Sequence, residues 1–181
     1  MNEILKFSEQ ALALAQKIMK RYPEGKHKSA ILPILHLAQA EFGGWLSVPA
    51  MNHVASVLKI QPIEVYEVVS FYSMFNLKPV GKCVIEVCRT GPCWLMGAED
   101  ILRYLEEKLD IPAGATTKDK MFTIKTVECL AACGTAPIVQ IGEVYHENVT
   151  CEKIDQILSE CRKTVTEPLS HWAREKIKAH E

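Results

Sequence analysis

No apolar run in the 181 residues approaches the ~18 needed to cross a bilayer, so direct membrane insertion is not expected. Neither sign of charge is in excess. The 21 Lys and Arg balance 22 Asp and Glu to a formal net charge of −1, which removes any bulk attraction to nucleic acid or anionic lipid. The N-terminal stretch Met1–Gln10 carries two glutamates and no separate apolar segment, so it reads as neither a secretory signal nor an Arg-rich transit peptide. No Gly-x-Gly-x-x-Gly follows a strand, which argues against a dinucleotide site on this chain. Cys-x-x-Cys, the usual thiol–disulfide exchange motif, is also missing. The seven cysteines are odd in number, which argues against a closed disulfide framework. These absences point to the cytoplasm, where thiols stay reduced unless a metal holds them. A mean hydropathy of +0.02 and 48% hydrophobic residues still supply an ordinary globular core.

The periodicity changes partway along the chain. Ile4, Leu5, Leu12, Ala15, Ile18 and Met19 recur at helical spacing and predict an amphipathic helix ending near Tyr22-Pro23. Ser29 is placed to cap a second helix, with Pro33 in its first turn and Gly43-Gly44 as its stop. Ile31, Ile34, Leu37 and Ala38 form its apolar stripe. Ser47-Val-Pro49 starts a third helix carrying Met51, Val54, Ala55 and Leu58. Gln61-Pro62-Ile-Glu64 starts a fourth, running through Val65, Val68 and Val69 toward Phe71. Leu77-Lys-Pro79-Val-Gly81 then marks a domain boundary.

Beyond it, Lys82–Cys88 is rich in β-branched residues and reads as a strand. Pro92 opens a helix predicted from Trp94 to Lys108, with Leu95, Ala98, Ile101, Leu102 and Leu105 facing inward. Pro112-Ala-Gly114 is a turn, and strands follow at Met121–Val127, Pro137–Gly142 and Val144–Glu147. Thr150 can cap a last helix bearing Ile154, Ile157, Leu158 and Cys161. The order β-α-β-β-α on a small sheet is a thioredoxin-like pattern. The expected architecture is therefore α+β: a helical bundle over 1–79, a thioredoxin-like α/β domain over 80–164, and a charged tail over 165–181.

Four cysteines form two close pairs, Cys88-Arg-Thr-Gly-Pro-Cys93 and Cys129-Leu-Ala-Ala-Cys133. Each pair falls in a short loop between elements, where two thiolates can grip one side of a small, soft metal centre. Gly91 lets the first loop curl, and Pro92 presets the first helical turn. Backbone amides and the helix dipole at that junction favour negative charge. A 2Fe-2S centre with four thiolates is anionic in both oxidation states, so it needs such donors aimed at its sulfurs. Thr90 can add a hydroxyl and Arg89 can screen charge, while small Ala131-Ala132 let the second loop pass close to sulfur. Zinc held by the x₄/x₃ spacing, or four metal-free core cysteines, are the competing readings. Neither the plant-type Cys-x₄-Cys-x₂-Cys run nor the paired histidines of a Rieske centre is present. Cys83 lies five positions before Cys88, on the opposite face of the strand, and is assigned to packing. Cys161 continues the stripe of the last helix and Cys151 sits in its first turn, so both are also assigned to packing.

Val87-Cys-Arg-Thr-Gly-Pro-Cys-Trp-Leu95 and Glu128-Cys-Leu-Ala-Ala-Cys-Gly-Thr-Ala-Pro-Ile-Val-Gln140 resemble the thioredoxin-like 2Fe-2S subunit of respiratory complex I. So do Leu35-His-Leu-Ala-Gln39, Gly43-Gly-Trp-Leu-Ser47 and Phe71-Tyr-Ser-Met-Phe75, and the resemblance runs from Lys28 to Arg162. It implies that Cys88, Cys93, Cys129 and Cys133 are the ligands of one 2Fe-2S cluster in the ferredoxin-type domain. It implies an electron-transfer subunit of NADH:quinone oxidoreductase, with no catalytic residue for hydride transfer in this chain. NADH and FMN would sit on a partner flavoprotein subunit, beside other peripheral-arm iron–sulfur subunits, peripheral to the inner membrane. The same fold also serves NAD-linked hydrogenases and formate dehydrogenases. Two positions depart from many relatives, which have glycine where Ala131 stands and proline where Cys151 stands. If position 131 needs a positive φ, alanine there costs roughly a kcal/mol.

Other readings are weaker. The helices at Ala50–Leu58 and Pro62–Phe71 are spaced as in helix-turn-helix proteins, but the second carries Glu64 and Glu67 and no Lys or Arg, which phosphate would repel. A zinc-stabilised adaptor that only binds partners remains a further alternative. His36, His53 and His146 are scattered and form no nucleophile–base pair. Trp45, Tyr72 and Phe75 suit either docking anchors or core.

Overall fold

The computed structural model describes residues 5–164, which form two compact units dividing between Pro79 and Val80. Among the described residues the N-terminal unit holds four α-helices: α1 (Glu9–Met19), α2 (Ile31–Glu41), α3 (Val48–Leu58) and α4 (Pro62–Phe71). Ser8 caps α1, its hydroxyl accepting from the Ala11 amide at 3.2 Å. Ala11, Leu14, Ala15 and Ile18 turn inward, whereas Leu12, assigned to the apolar stripe, is exposed. Ile4 lies outside the described residues. Ser29 does not cap α2, because a 3-10 turn over His27–Ala30 precedes that helix and takes Ser29 into it. The third start is as the sequence indicates: the Ser47 hydroxyl accepts from the Ala50 amide at 3.3 Å. At α4 the Gln61 amide donates to Glu64 at 2.8 Å, and Lys28 pairs with the same carboxylate at 2.7 Å. Ile34, Leu35 and Leu37 are all fully buried, so α2 is the central helix of this bundle.

The second unit is a four-stranded sheet with helices. Its elements are β1 (Cys83–Cys88), α5 (Gly91–Leu95), α6 (Ala98–Leu109), β2 (Phe122–Val127), β3 (Val139–Ile141), β4 (Val144–His146) and α7 (Cys151–Thr164). The strand order is β2-β1-β3-β4, with β1 parallel to β2 and antiparallel to β3. The predicted Trp94–Lys108 helix is two helices. Gly97, at φ +93°, breaks it, and the turn leaves Leu95 exposed instead of inward. Ile101, Leu102 and Leu105 of α6 and Ile154, Ile157 and Leu158 of α7 bury against Ile85, Val87, Phe122 and Ile124 of the sheet. Gly81 is required by close approach, since a Cβ there would lie 2.8 Å from the Phe122 backbone. The chain is α+β, a helical N-terminal half followed by the order β-α-α-β-β-β-α, which has one strand and one helix more than the β-α-β-β-α pattern read from the sequence.

Candidate metal centre

The register of β1 and β2 builds the site. They run parallel with Cys88 opposite Val127, so both strands end at the same edge of the sheet. The two cysteine loops leave from that edge side by side, the usual place for a site on parallel strands. Cys88 closes β1, its amide donating to Ile138 O at 3.2 Å. The extended backbone of Thr90 then leads into α5, where Pro92 occupies the first turn and Cys93 follows. Val127 is followed by Glu128 and Cys129, and the second loop ends in a 3-10 turn over Cys133–Thr135. Ala131 sits in the left-handed region at φ +58°, the positive φ at which alanine is strained. Its amide donates to Cys129 Sγ at 3.3 Å.

Within each loop the two thiols act on one another: the Cys93 thiol lowers Cys88, and Cys129 raises Cys133. Cys133 also feels the charge of Cys88, and Cys93 that of Cys133, so the two pairs share one electrostatic environment. Cys88 and Cys93 are buried, each 2% exposed, while Cys129 and Cys133 are exposed. Burial pushes the Cys88 thiol up. The Thr90 hydroxyl at 3.4 Å, the amides of Thr90 and Leu130 and the Cys93 thiol outweigh that and bring it below its ordinary value. Cys93 is raised by burial and by Cys88, against the amide of Ile138. Cys133 is raised by desolvation and by the charge of Cys129. Neighbouring thiolates therefore oppose one another, and a bound cation is what would hold all four ionised together.

The donor set distinguishes between centres. Among the described residues no group of three or more His, Cys, Asp or Glu side chains is placed to hold a single metal ion. Four thiols in two close pairs with no histidine beside them match the donor set that a 2Fe-2S centre takes, and the x₄/x₃ spacing is uncommon for zinc.

Some of the sequence assignments change here. Arg89 does not lie free to screen the sulfurs, because its guanidinium pairs with Glu99 at 2.8 Å. The helix Gly91–Leu95 is only five residues long, so individual amides, not a long helix dipole, carry the stabilisation. Two of these donors, Leu130 and Ile138, have no signature in sequence because any residue has an amide. A cleft of about 400 Å³ beside the loops is lined by Arg89, Trp94, Glu99, Thr126, Val127 and Glu128. Trp94, Leu95 and Met96, next to Cys93, are all exposed, an apolar run visible in the sequence, of which Leu95 was expected to face inward. His36 packs against Phe75 with ring centroids 5.1 Å apart, and His53 accepts the Phe7 amide at 3.0 Å, so both have structural partners. Phe75 is core, Trp45 is half-buried and Tyr72 is exposed.

Residues 15–162 match the thioredoxin-like 2Fe-2S ferredoxin family. The chain is 50% identical over 154 residues to the E-type component of NADH-quinone oxidoreductase from Rickettsia felis, covering 85% of this chain and 92% of that one. It is 49% identical over 156 residues to the same component from Rickettsia bellii, covering 86% and 93%. Among solved structures, an NAD+-reducing NiFe-hydrogenase in the H2-reduced state shares the fold with a TM-score of 0.65 at 18% identity. That match covers 75% of this chain but only 22% of the hydrogenase chain.

Proposed function

The chain belongs to the thioredoxin-like 2Fe-2S ferredoxin family, and from that premise we propose that Cys88, Cys93, Cys129 and Cys133 hold one 2Fe-2S cluster. With it the protein serves as the E-type component of an NADH-quinone oxidoreductase, exchanging single electrons with the flavin of a partner NADH-binding subunit. Bound there, the cluster supplies one-electron oxidation and reduction, and hydride chemistry stays with the partner. What supports this reading is that both cysteine loops leave the same end of the parallel β1–β2 pair, with backbone N–H groups acting on sulfur in both loops.

The chain's own residues then have distinct tasks. The buried Cys88 and Cys93 anchor the inner side, and the exposed Cys129 and Cys133 present the outer side to a partner. The amides of Thr90, Leu130, Ile138 and Ala131 offset negative charge on sulfur and thereby set the potential. Residues 80–164 form the cluster domain and 1–79 a helical bundle in this reading. The protein is peripheral to the membrane through its complex, among other peripheral-arm iron–sulfur subunits. Relatives near 50% identity favour a quinone oxidoreductase over a hydrogenase, whose likeness at 18% speaks for the fold alone.

Visible and EPR spectroscopy test the assignment. The purified protein should be brown and bleach with dithionite, and Cys88→Ser and Cys133→Ser should each lose or distort the reduced-state EPR signal. Cys151→Ser should leave it unchanged. A colourless protein containing zinc would overturn the reading. Co-purification with an NADH-oxidising flavoprotein tests the partner, and recovery of a hydrogenase component instead would reassign the complex.

A further inference from the structure

Two of the three cysteines assigned to packing meet in the core. Cys83 begins β1 and Cys161 lies near the end of α7, yet their sulfurs are 3.0 Å apart, with the Cys83 thiol donating to Cys161. They sit in the sheet–helix core among Phe122, Ile157 and Leu158, 2% and 7% exposed. The Arg162 guanidinium lies over the Phe122 ring at 4.9 Å and covers this corner. Cys83 starts the strand that Cys88 ends, so this pair is roughly 16 Å of strand away from the candidate metal centre.

We propose that Cys83 and Cys161 form a second, metal-independent redox site, a dithiol that hydrogen peroxide converts into a disulfide locking the last helix to the first strand. Closure needs the sulfurs to approach by only about 1 Å, to the ~2.0 Å of an S–S bond. The roles of the two sulfurs differ. The S–H of Cys83 holds the Cys161 thiol below its ordinary value, so Cys161 is the sulfur that ionises. Cys83 is pushed up by that same hydrogen bond and by burial, so it keeps its proton until the second step. Cys161, the more exposed of the two, takes one peroxide oxygen to become a sulfenic acid as the O–O bond breaks and one water leaves. The Cys83 sulfur then attacks the Cys161 sulfur. The S–S bond forms, the S–O bond breaks and a second water leaves. Two thiols and one peroxide thus give one disulfide and two waters, with two electrons passing from sulfur to oxygen.

The cross-link would span 78 positions and close a loop containing both cysteine pairs of the candidate metal centre. Its effect is therefore to resist opening of the whole second unit.

The test treats the purified full-length protein with hydrogen peroxide, alkylates the remaining thiols in denaturant, digests it and maps linked peptides by mass spectrometry. The expected result is a peptide pair joining Cys83 to Cys161, two hydrogens lighter than the reduced pair and split by dithiothreitol. Thermal unfolding of the oxidised protein should rise by on the order of 10 °C. Cys161→Ala should abolish both the linked pair and the rise. Sulfinic acid on Cys161 with Cys83 still free, or links that join either one to a different cysteine, would overturn the proposal. Visible absorbance recorded on the same sample reports cluster retention separately, so loss of the cluster and absence of this link are read independently.

Discussion

Replacing Ala131 with glycine should make the protein more stable without altering its ligands. Ala131 is held at φ +58° in the second cysteine loop, where a Cβ crowds the following carbonyl at a cost of about 1–2 kcal/mol. Its methyl is exposed, so removing it sacrifices no buried contact. Glycine also loosens the unfolded chain, which costs about 0.4–1 kcal/mol. Taking the middle of each range, the gain is about 0.8 kcal/mol, or about 2–3 °C in thermal midpoint for a chain of this size. Differential scanning calorimetry of the full chain reads that shift. Lys59→Gly is the control, because Lys59 caps α3 in the same left-handed region at φ +56°, in the other unit. It should give a similar gain while leaving the visible spectrum untouched. Ala131→Val should move the midpoint the other way, since a β-branched residue fits this region worse still. If Ala131→Gly leaves the midpoint unchanged or lowers it, the strain assigned to this loop does not exist.

Three further outcomes rest on the same geometry. Thr90→Val removes the hydroxyl 3.4 Å from Cys88 Sγ but keeps the amide, so a redox titration should find a more negative potential with stability little changed. His53 is lowered by burial and by the charge of Lys6, and in its neutral form accepts the Phe7 amide at 3.0 Å. The unfolded chain therefore binds the extra proton first. Stability measured by urea unfolding should be full above the ordinary histidine value of 6.5, fall as pH drops through it, and level off below the depressed folded value. His53→Gln should flatten that slope, and an unchanged slope would assign it to other groups such as His146, itself lowered by burial. Gly81→Ala would place a Cβ 2.8 Å from the Phe122 backbone, so the strand start must shift, at a cost of about 1–3 kcal/mol in the same assay.

Local chemistry is legible in the chain where the determinant lies within a few residues. Ser47 caps α3 through its own hydroxyl, and the α3 stripe of Met51, Val54, Ala55 and Leu58 is buried as its period requires. Expectation and structure part where a neighbour in space, or one backbone angle, overrides the local pattern. Ser29 loses its cap to a 3-10 turn, and Leu95 leaves the core because Gly97 breaks the helix. Arg89, expected near sulfur, is held by Glu99, ten positions along the chain and across the helix break.

By itself the sequence determined which sulfurs come in pairs, since x₄ and x₃ spacings in short loops keep two thiols within reach of one another whatever the rest does. It also determined the class of the longer helices and strands, because hydrophobic period is a property of the chain and not of its neighbours, whereas the 3-10 turns and the break at Gly97 carried no such period. Only the tertiary structure decided that the two pairs share an edge, that Leu130 and Ile138 point amides at them, and that Cys83 lies against Cys161. The reason is physical. Strand register and helix docking are set by burying one face against another, and that choice depends on all the surfaces at once, so no single stretch of sequence carries it.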